Sequence, residues 1–181
     1  MRTGWGVLGA AAAVVTALAV ANVDADDAAV GARAGMDLAA TAADAWADDA
    51  RLVWLENDAV IDANGQSPAW GYLYYSAEKH AMRSWSVRDG RITTGQDHTV
   101  SAEAPALALD WADSDRAAAR AWDGGGREFC GETGRLESLV LVHGIFAPRS
   151  TWVAVFAAGE GPRLHVVLDA DDGDVVKRWR G

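Results

Sequence analysis

A single cysteine, Cys130, stands in a chain of 181 residues. An intramolecular disulfide is therefore excluded, and so is a zinc site built on several thiolates. Glu128 and Glu132 flank it, and two carboxylates so near are expected to raise the thiol pKa, which argues against a nucleophile. Basic charge is scarce as well. Lys and Arg total 16 against 26 Asp and Glu, the only lysines being Lys79 and Lys177, and the formal charge is −10. Residues 1–21 contain one charged side chain, Arg2, so the remainder carries −11. That balance repels phosphate backbones and anionic lipid surfaces. Nucleic acid is not an expected partner, and the membrane is expected only through residues 1–21. Solubility is the plainest consequence.

Catalytic and cofactor motifs are missing too. The four histidines, His80, His98, His143 and His165, show no i, i+4 spacing of the metal-binding kind. No Gly-x-Ser-x-Gly elbow exists; His143 could meet Ser150 or Asp171 in space, but nothing in the sequence positions a triad. Gly4-Trp5-Gly6-Val7-Leu8-Gly9 matches GxGxxG in letters, yet only three residues precede it and a dinucleotide site needs a strand there. Gly124-Gly125-Gly126 follows a helical segment rather than opening one and has no adjoining lysine, so it reads as a terminator. Asp169, Asp171, Asp172 and Asp174 suggest a calcium loop until the register is counted. From Asp169 the glycine falls fifth and Arg180 twelfth, where an EF-hand needs Gly sixth and Glu twelfth. A hairpin turn with solvated carboxylates is the better reading, with weak divalent binding left open. No catalytic residue, metal site or cofactor is expected, and the chain reads as a non-enzyme.

One long apolar run is present, Val7 to Ala21, after a single positive residue. It spans about 15 residues, where a membrane-crossing helix needs about 20. Ala19-Val20-Ala21 is a small-x-small cleavage pattern. Residues 1–21 read as a cleavable signal peptide, with an uncleaved anchor as the alternative. With no cysteine nearby, a lipid-modified amino terminus is not expected at all. The protein is expected to be exported, secreted or held at the cell envelope. Residues 22–35, with Asp24, Asp26 and Asp27, read as an acidic tether.

Nine tryptophans are what the chain has in abundance. Two Trp-led strands organise it: Ala69 to Tyr75 and, 82 positions later, Thr151 to Ala157. Alternation puts Trp70, Tyr72 and Tyr74 on one face of the first, and Trp152, Ala154 and Phe156 on one face of the second. Each is preceded by an alanine-rich helical segment ending in Trp, at Trp46 and Trp122, and followed by turns and further strands. In the first helix Leu38, Ala42 and Trp46 recur at spacing four. Strands are expected at Leu52–Leu55, Ala59–Ile61, Met82–Arg88, Arg91–Thr93, Leu136–Val142, Leu164–Leu168 and Val175–Trp179, with turns at Asn64-Gly65 and Asp89-Gly90. Asp113 or Ser114 can cap the second helix. The boundaries drawn are a first repeat over 36–95, a connector over 96–112 and a second repeat over 113–181.

The repeated pattern resembles a PepSY-type domain present twice across residues 36–181. The residues that carry it are a helix ending in Trp, then Trp70 with Trp85-Ser86-Val87-Arg88-Asp89-Gly90, and Trp152 with Val166-Val167-Leu168-Asp169-Ala170-Asp171-Asp172-Gly173-Asp174-Val175-Val176. Trp111-Ala112-Asp113-Ser114-Asp115 is similar to the start of such a unit. The first copy departs from the pattern in its shorter Arg88-Asp89-Gly90 turn. The resemblance implies an α+β fold of two repeats, each an α-helix packed on a small antiparallel β-sheet in a cystatin-like way. It also implies inhibition or chaperoning of a peptidase, or ligand binding at the cell envelope, with no catalytic residues. A possible protein partner is thus a peptidase, taken at a sheet edge with Trp70, Tyr72, Tyr74, Trp152 and Phe156 supplying pockets. The alternative is a structural envelope protein whose repeats cover their own edges and aromatics.

Overall fold

The structure is a computed structural model and describes residues 28–100 and 103–181. The signal-peptide reading of residues 1–21, and the tether reading of 22–27, lie outside the described residues.

Each strongly alternating run forms a strand. In the first half these are β1 (Arg51–Asn57), β2 (Ala69–Ser76), β3 (Ala81–Arg88) and β4 (Arg91–Thr99). In the second they are β5 (Arg135–His143), β6 (Ser150–Ala157), β7 (Leu164–Asp169) and β8 (Val175–Arg180). Asp89 and Gly90 both take positive φ, 50° and 64°, which closes the β3–β4 hairpin in the tight two-residue turn expected there. The expected strand at Ala59–Ile61 is a loop. Asp62 explains it: its carboxylate accepts from the N–H groups of Asn64 and Gln66, both at 2.8 Å, and folds the chain into a turn.

Two separate small sheets do not form. All eight strands make one antiparallel sheet in the order β4-β3-β2-β1-β5-β6-β7-β8. The junction is β1 against β5, with Trp54 opposite Val142, Leu55 opposite Leu141 and Glu56 opposite Val140. Asn57 strengthens it by accepting the Leu139 N–H on its side-chain oxygen at 2.8 Å. Leu55 and Leu141 are wholly buried there. The expectation of two helix-on-sheet repeats is thus corrected: each half supplies four strands to a shared sheet, and the helices are short. A first strand left as an edge would expose backbone groups and leucines, and pairing β1 with β5 removes both costs.

Three helical segments lie on one face: α1 (Met36–Trp46), α2 (Ser114–Ala121) and the single turn α3 (Arg127–Cys130). On α1 the residues closest to the sheet are Ala39 and Ala43, while Leu38 is partly exposed and Trp46 packs at the flank. Small side chains let the helix axis approach the sheet, which moves the contact stripe by one position from the expected one. Asp113 caps α2, accepting from the Ser114 N–H at 2.7 Å. Beyond Trp122, Gly125 takes φ +132°, a conformation that ends the helix before α3 resumes.

One apolar core lies between this helical layer and the sheet, and both halves contribute to it. Trp70, Tyr72, Trp85, Trp111, Trp152, Phe156, Val166 and Leu168 all belong to it. The halves interlock. Val30 exchanges two backbone hydrogen bonds with Ser67, both 3.0 Å, and the Ala32 N–H donates to the buried Ser114 hydroxyl at 3.0 Å. Arg33 donates to the Leu109 and Trp111 carbonyls and lies over the Trp111 ring. Residues 28–35, read as part of a tether, are therefore docked across the molecule. Trp122 closes the same seam by donating to the Ala63 carbonyl at 2.8 Å. The opposite sheet face carries two smaller clusters. Val100 and Ala104 pack on Val53, Leu73, Tyr75 and Met82, and Phe146 packs on Val142, Val153 and Val167.

Candidate functional site

The five aromatic residues expected to bind a partner are all in the core. Trp70, Trp152, Tyr72 and Phe156 are almost wholly inaccessible, and Tyr74 is buried beside Trp85. The alternation that put them on one face is right, and that face meets the helices. The Trp70 and Trp152 indoles donate to the Val30 and Ala112 carbonyls at 2.9 Å, and the Tyr72 hydroxyl donates to the Ala32 carbonyl at 2.8 Å. Burial pushes the Tyr74 phenol up to about 12 and raises Tyr72 as well. These side chains build the scaffold and supply no surface pocket.

The remaining candidates settle into local roles. His143 and Ser150 do meet, at 3.2 Å, but Ser150 is buried and its oxygen also accepts the Ala108 N–H at 3.0 Å. Asp171, the other residue read as a partner for His143, has its backbone N–H bonded to Asp169 at 2.9 Å, and Asp169 pairs with Arg149 at 2.5 Å. His98 bonds Ser84 at 2.9 Å across the β3–β4 ladder. In the 169–174 turn the carboxylates fold onto their own backbone: Asp169 accepts from Asp171 N–H, and Asp172 from Asp174 N–H. Among the described residues no three His, Cys, Asp or Glu side chains are grouped to hold a metal ion. Cys130 is buried, and burial raises its thiol pKa, so desolvation rather than the neighbouring carboxylates is the cause.

Two carboxylates on the loop-bearing face escaped notice in the sequence. Burial raises the pKa of Glu56, and the neighbouring Asp58 charge adds to the effect. Asp58 is itself raised by burial, with Ser86 and Arg88 pulling the other way. Its carboxylate lies against Gly71, where a Cβ would sit 2.7 Å from the oxygen. Only the strand register, which brings Gly71 opposite both Glu56 and Ser86, assembles this group.

Among the described residues the outer strands, β4 and β8, have a strand neighbour on one side only. β4 is exposed along nearly its whole length, and β8 likewise. They differ in charge. β4 holds one arginine, Arg91, and one carboxylate, Asp97, which pairs with Arg83 at 3.2 Å. β8 holds Lys177, Arg178 and Arg180 and no acid. None of those three is ion-paired to a described carboxylate. Beside β8 lies a cleft of about 260 Å³ lined by Gly125, Glu128, Leu164, Arg178, Trp179 and Arg180. The Trp179 indole is half-buried on the other face, stacked on His165 with ring centres 4.6 Å apart. Burial lowers the His165 pKa, and Arg163 adds to that shift.

No protein-family model matches the chain, and no curated protein matches it. Among solved structures, the chain is similar to a protein of Clostridium difficile 630 provisionally described as a lipoprotein. The TM-score is 0.56 at 12% identity, covering 78% of this chain and 90% of that one. At that identity the likeness is one of fold. No helix among the described residues is long and apolar enough to cross a membrane.

Proposed function

We propose that this protein is an exported, non-enzymatic binding module that takes a protein partner by strand addition at an outer edge of its sheet. The observation that carries the reading is the single antiparallel sheet with two exposed outer strands, β4 and β8. An exposed edge offers a row of unpaired N–H and C=O groups to any extended segment. Export is supported by the apolar run before residue 22 and by the description of the C. difficile protein of similar fold. The PepSY-like pattern names the partner class, a peptidase at the cell envelope that the module inhibits or chaperones.

The second reading is a structural envelope protein without a ligand. The burial of Trp70, Tyr72, Tyr74, Trp152 and Phe156 favours it, because these aromatics are spent on the core.

The full chain, used as bait against the native envelope and extracellular fraction, separates the two. Recovery of a peptidase that loses activity on titration, with slowed amide exchange in β4 or β8 of the complex, supports the binding module. A recovered partner that protects neither outer strand, or no partner for a stable monomer, defeats it in favour of the structural reading.

A further inference from the structure

We propose that β8 is the docking edge and that its partner is an extended acidic strand carrying carboxylates at alternate positions. The inference rests on the strand-addition reading and names the edge and the chemistry of the occupant.

Register comes first. Arg163 and Gly181 exchange both backbone hydrogen bonds, at 2.7 and 3.0 Å. In an antiparallel ladder such pairs alternate with pairs whose N–H and C=O groups point away from each other. His165 opposite Trp179 and Val167 opposite Lys177 therefore bond inward, while Arg178, opposite Val166, and Arg180, opposite Leu164, turn their backbone groups outward. The two residues that offer main-chain bonds to an incoming strand are thus the two that carry guanidinium groups.

Their side chains also share a face. Val166 and Leu164 belong to the core beneath the helices, so Arg178 and Arg180 project on that side, along the cleft. Arg178 reaches the Gly124 carbonyl at 3.4 Å, and Arg180 lies over the Phe129 ring. Neither is neutralised: Glu128 lines the cleft but forms no ion pair with them. A strand laid against β8 places every second residue on this face, so carboxylates at i and i+2 meet Arg180 and Arg178. The residue between them falls on the Trp179 and Lys177 side.

Charge selects the occupant. In a chain of net charge −10, an acidic segment is repelled generally and attracted at β8. A second copy of this chain is a poor occupant, because two β8 edges would set like charges opposite each other. β4, with its one arginine and one paired aspartate, carries no such preference. Cationic edge residues also discourage edge-to-edge aggregation, and a purely protective role would show no selectivity for sequence or backbone.

The test is fluorescence anisotropy with the full chain and short labelled peptides that alternate threonine with glutamate or with lysine. A third peptide keeps glutamate but is N-methylated at alternate residues, which blocks strand pairing. The glutamate peptide is expected to bind, and the lysine and N-methylated peptides to bind about tenfold more weakly or worse. The double variant Arg178→Glu with Arg180→Glu should lose about tenfold for the glutamate peptide, and Arg178→Gln with Arg180→Gln an intermediate amount. Circular dichroism checks that each variant is folded. Equal binding by the N-methylated peptide, undiminished binding by the charge-reversed variant, or no binding of the glutamate peptide overturns the assignment of β8. The strand-addition reading fails separately, when a recovered envelope partner protects neither β4 nor β8 from exchange.

Discussion

Trp70 and Trp152 sit 82 residues apart and make the same bond: each indole N–H donates at 2.9 Å to a carbonyl 40 residues upstream, Val30 or Ala112. The acceptors are themselves 82 residues apart. The internal repeat thus extends from strand pattern to a buried polar contact that ties the segment before each helix to the second strand of its half. The two acceptors differ in one respect. Val30 also accepts the Ser67 N–H, whereas Ala112 has no second donor among the described residues.

That difference predicts unequal costs for equal substitutions. Trp70→Phe removes one of two donors to Val30 and some ring volume, for about 1–2 kcal/mol. Trp152→Phe leaves the Ala112 carbonyl without a protein donor and should cost about 2–3 kcal/mol. Urea unfolding of the two variants checks the order. Equal losses would mean that the hydrogen bonds contribute little beside packing.

Gly65 and Gly90 both adopt positive φ, at +76° and +64°, but only one is enclosed. A Cβ at Gly65 would stand 2.2 Å from the Ser114 carbonyl oxygen and 2.8 Å from the Ala118 Cβ, whereas nothing lies within 4 Å at Gly90. Gly90→Ala should cost about 1–2 kcal/mol, the conformational term alone. Gly65→Ala adds a clash between the first-half loop and α2 and should cost more than about 3 kcal/mol. Thermal unfolding of the pair tests whether this loop is part of the seam between the halves. Similar shifts in both would show that the loop can withdraw from α2 at little cost.

These contacts explain which features were legible in the sequence. Alternation and turn residues act within about ten positions, so the strands, the Asp89-Gly90 turn and the shared face of Trp70, Tyr72 and Tyr74 could be read directly. The pairing of β1 with β5 joins residues such as Leu55 and Leu141, and no local pattern distinguishes that junction from a free edge. The count of sheets was lost there. The aromatics read as binding residues lie in the core for a related reason. Aromatic enrichment marks a surface that contacts something, and in this chain the contact is α1, α2 and the docked strap at Val30–Arg33. The cationic run Lys177-Arg178-Trp179-Arg180 was visible, but its meaning depends on β8 being outermost.

Asp58 and Glu137 should give stability profiles of opposite slope. Burial raises the Asp58 pKa, so the native state holds its proton more firmly than the unfolded chain does. The stability it contributes is therefore greatest below the unfolded value, about 4, and falls as pH rises through the interval up to the folded pKa. At neutral pH the ionised carboxylate is a penalty. Asp58→Asn, which keeps the shape and can still accept a hydrogen bond, should raise Tm at pH 7, with an advantage that shrinks on acidification and vanishes below about pH 4. Glu137 behaves the other way. The hydrogen bond from Arg163, aided by the charges of Arg163 and Arg135, lowers its pKa. Its stabilisation is present above the unfolded value and lost as pH falls through the folded one. Glu137→Gln should lower Tm slightly at pH 7, because the pair is partly exposed, and the difference should close in acid. Calorimetric scans from pH 3 to 8 on the two variants and the parent decide the matter. A lower Tm for Asp58→Asn at pH 7 would mean that Ser86 and Arg88 outweigh the burial of the carboxylate, reversing the sign assigned to it.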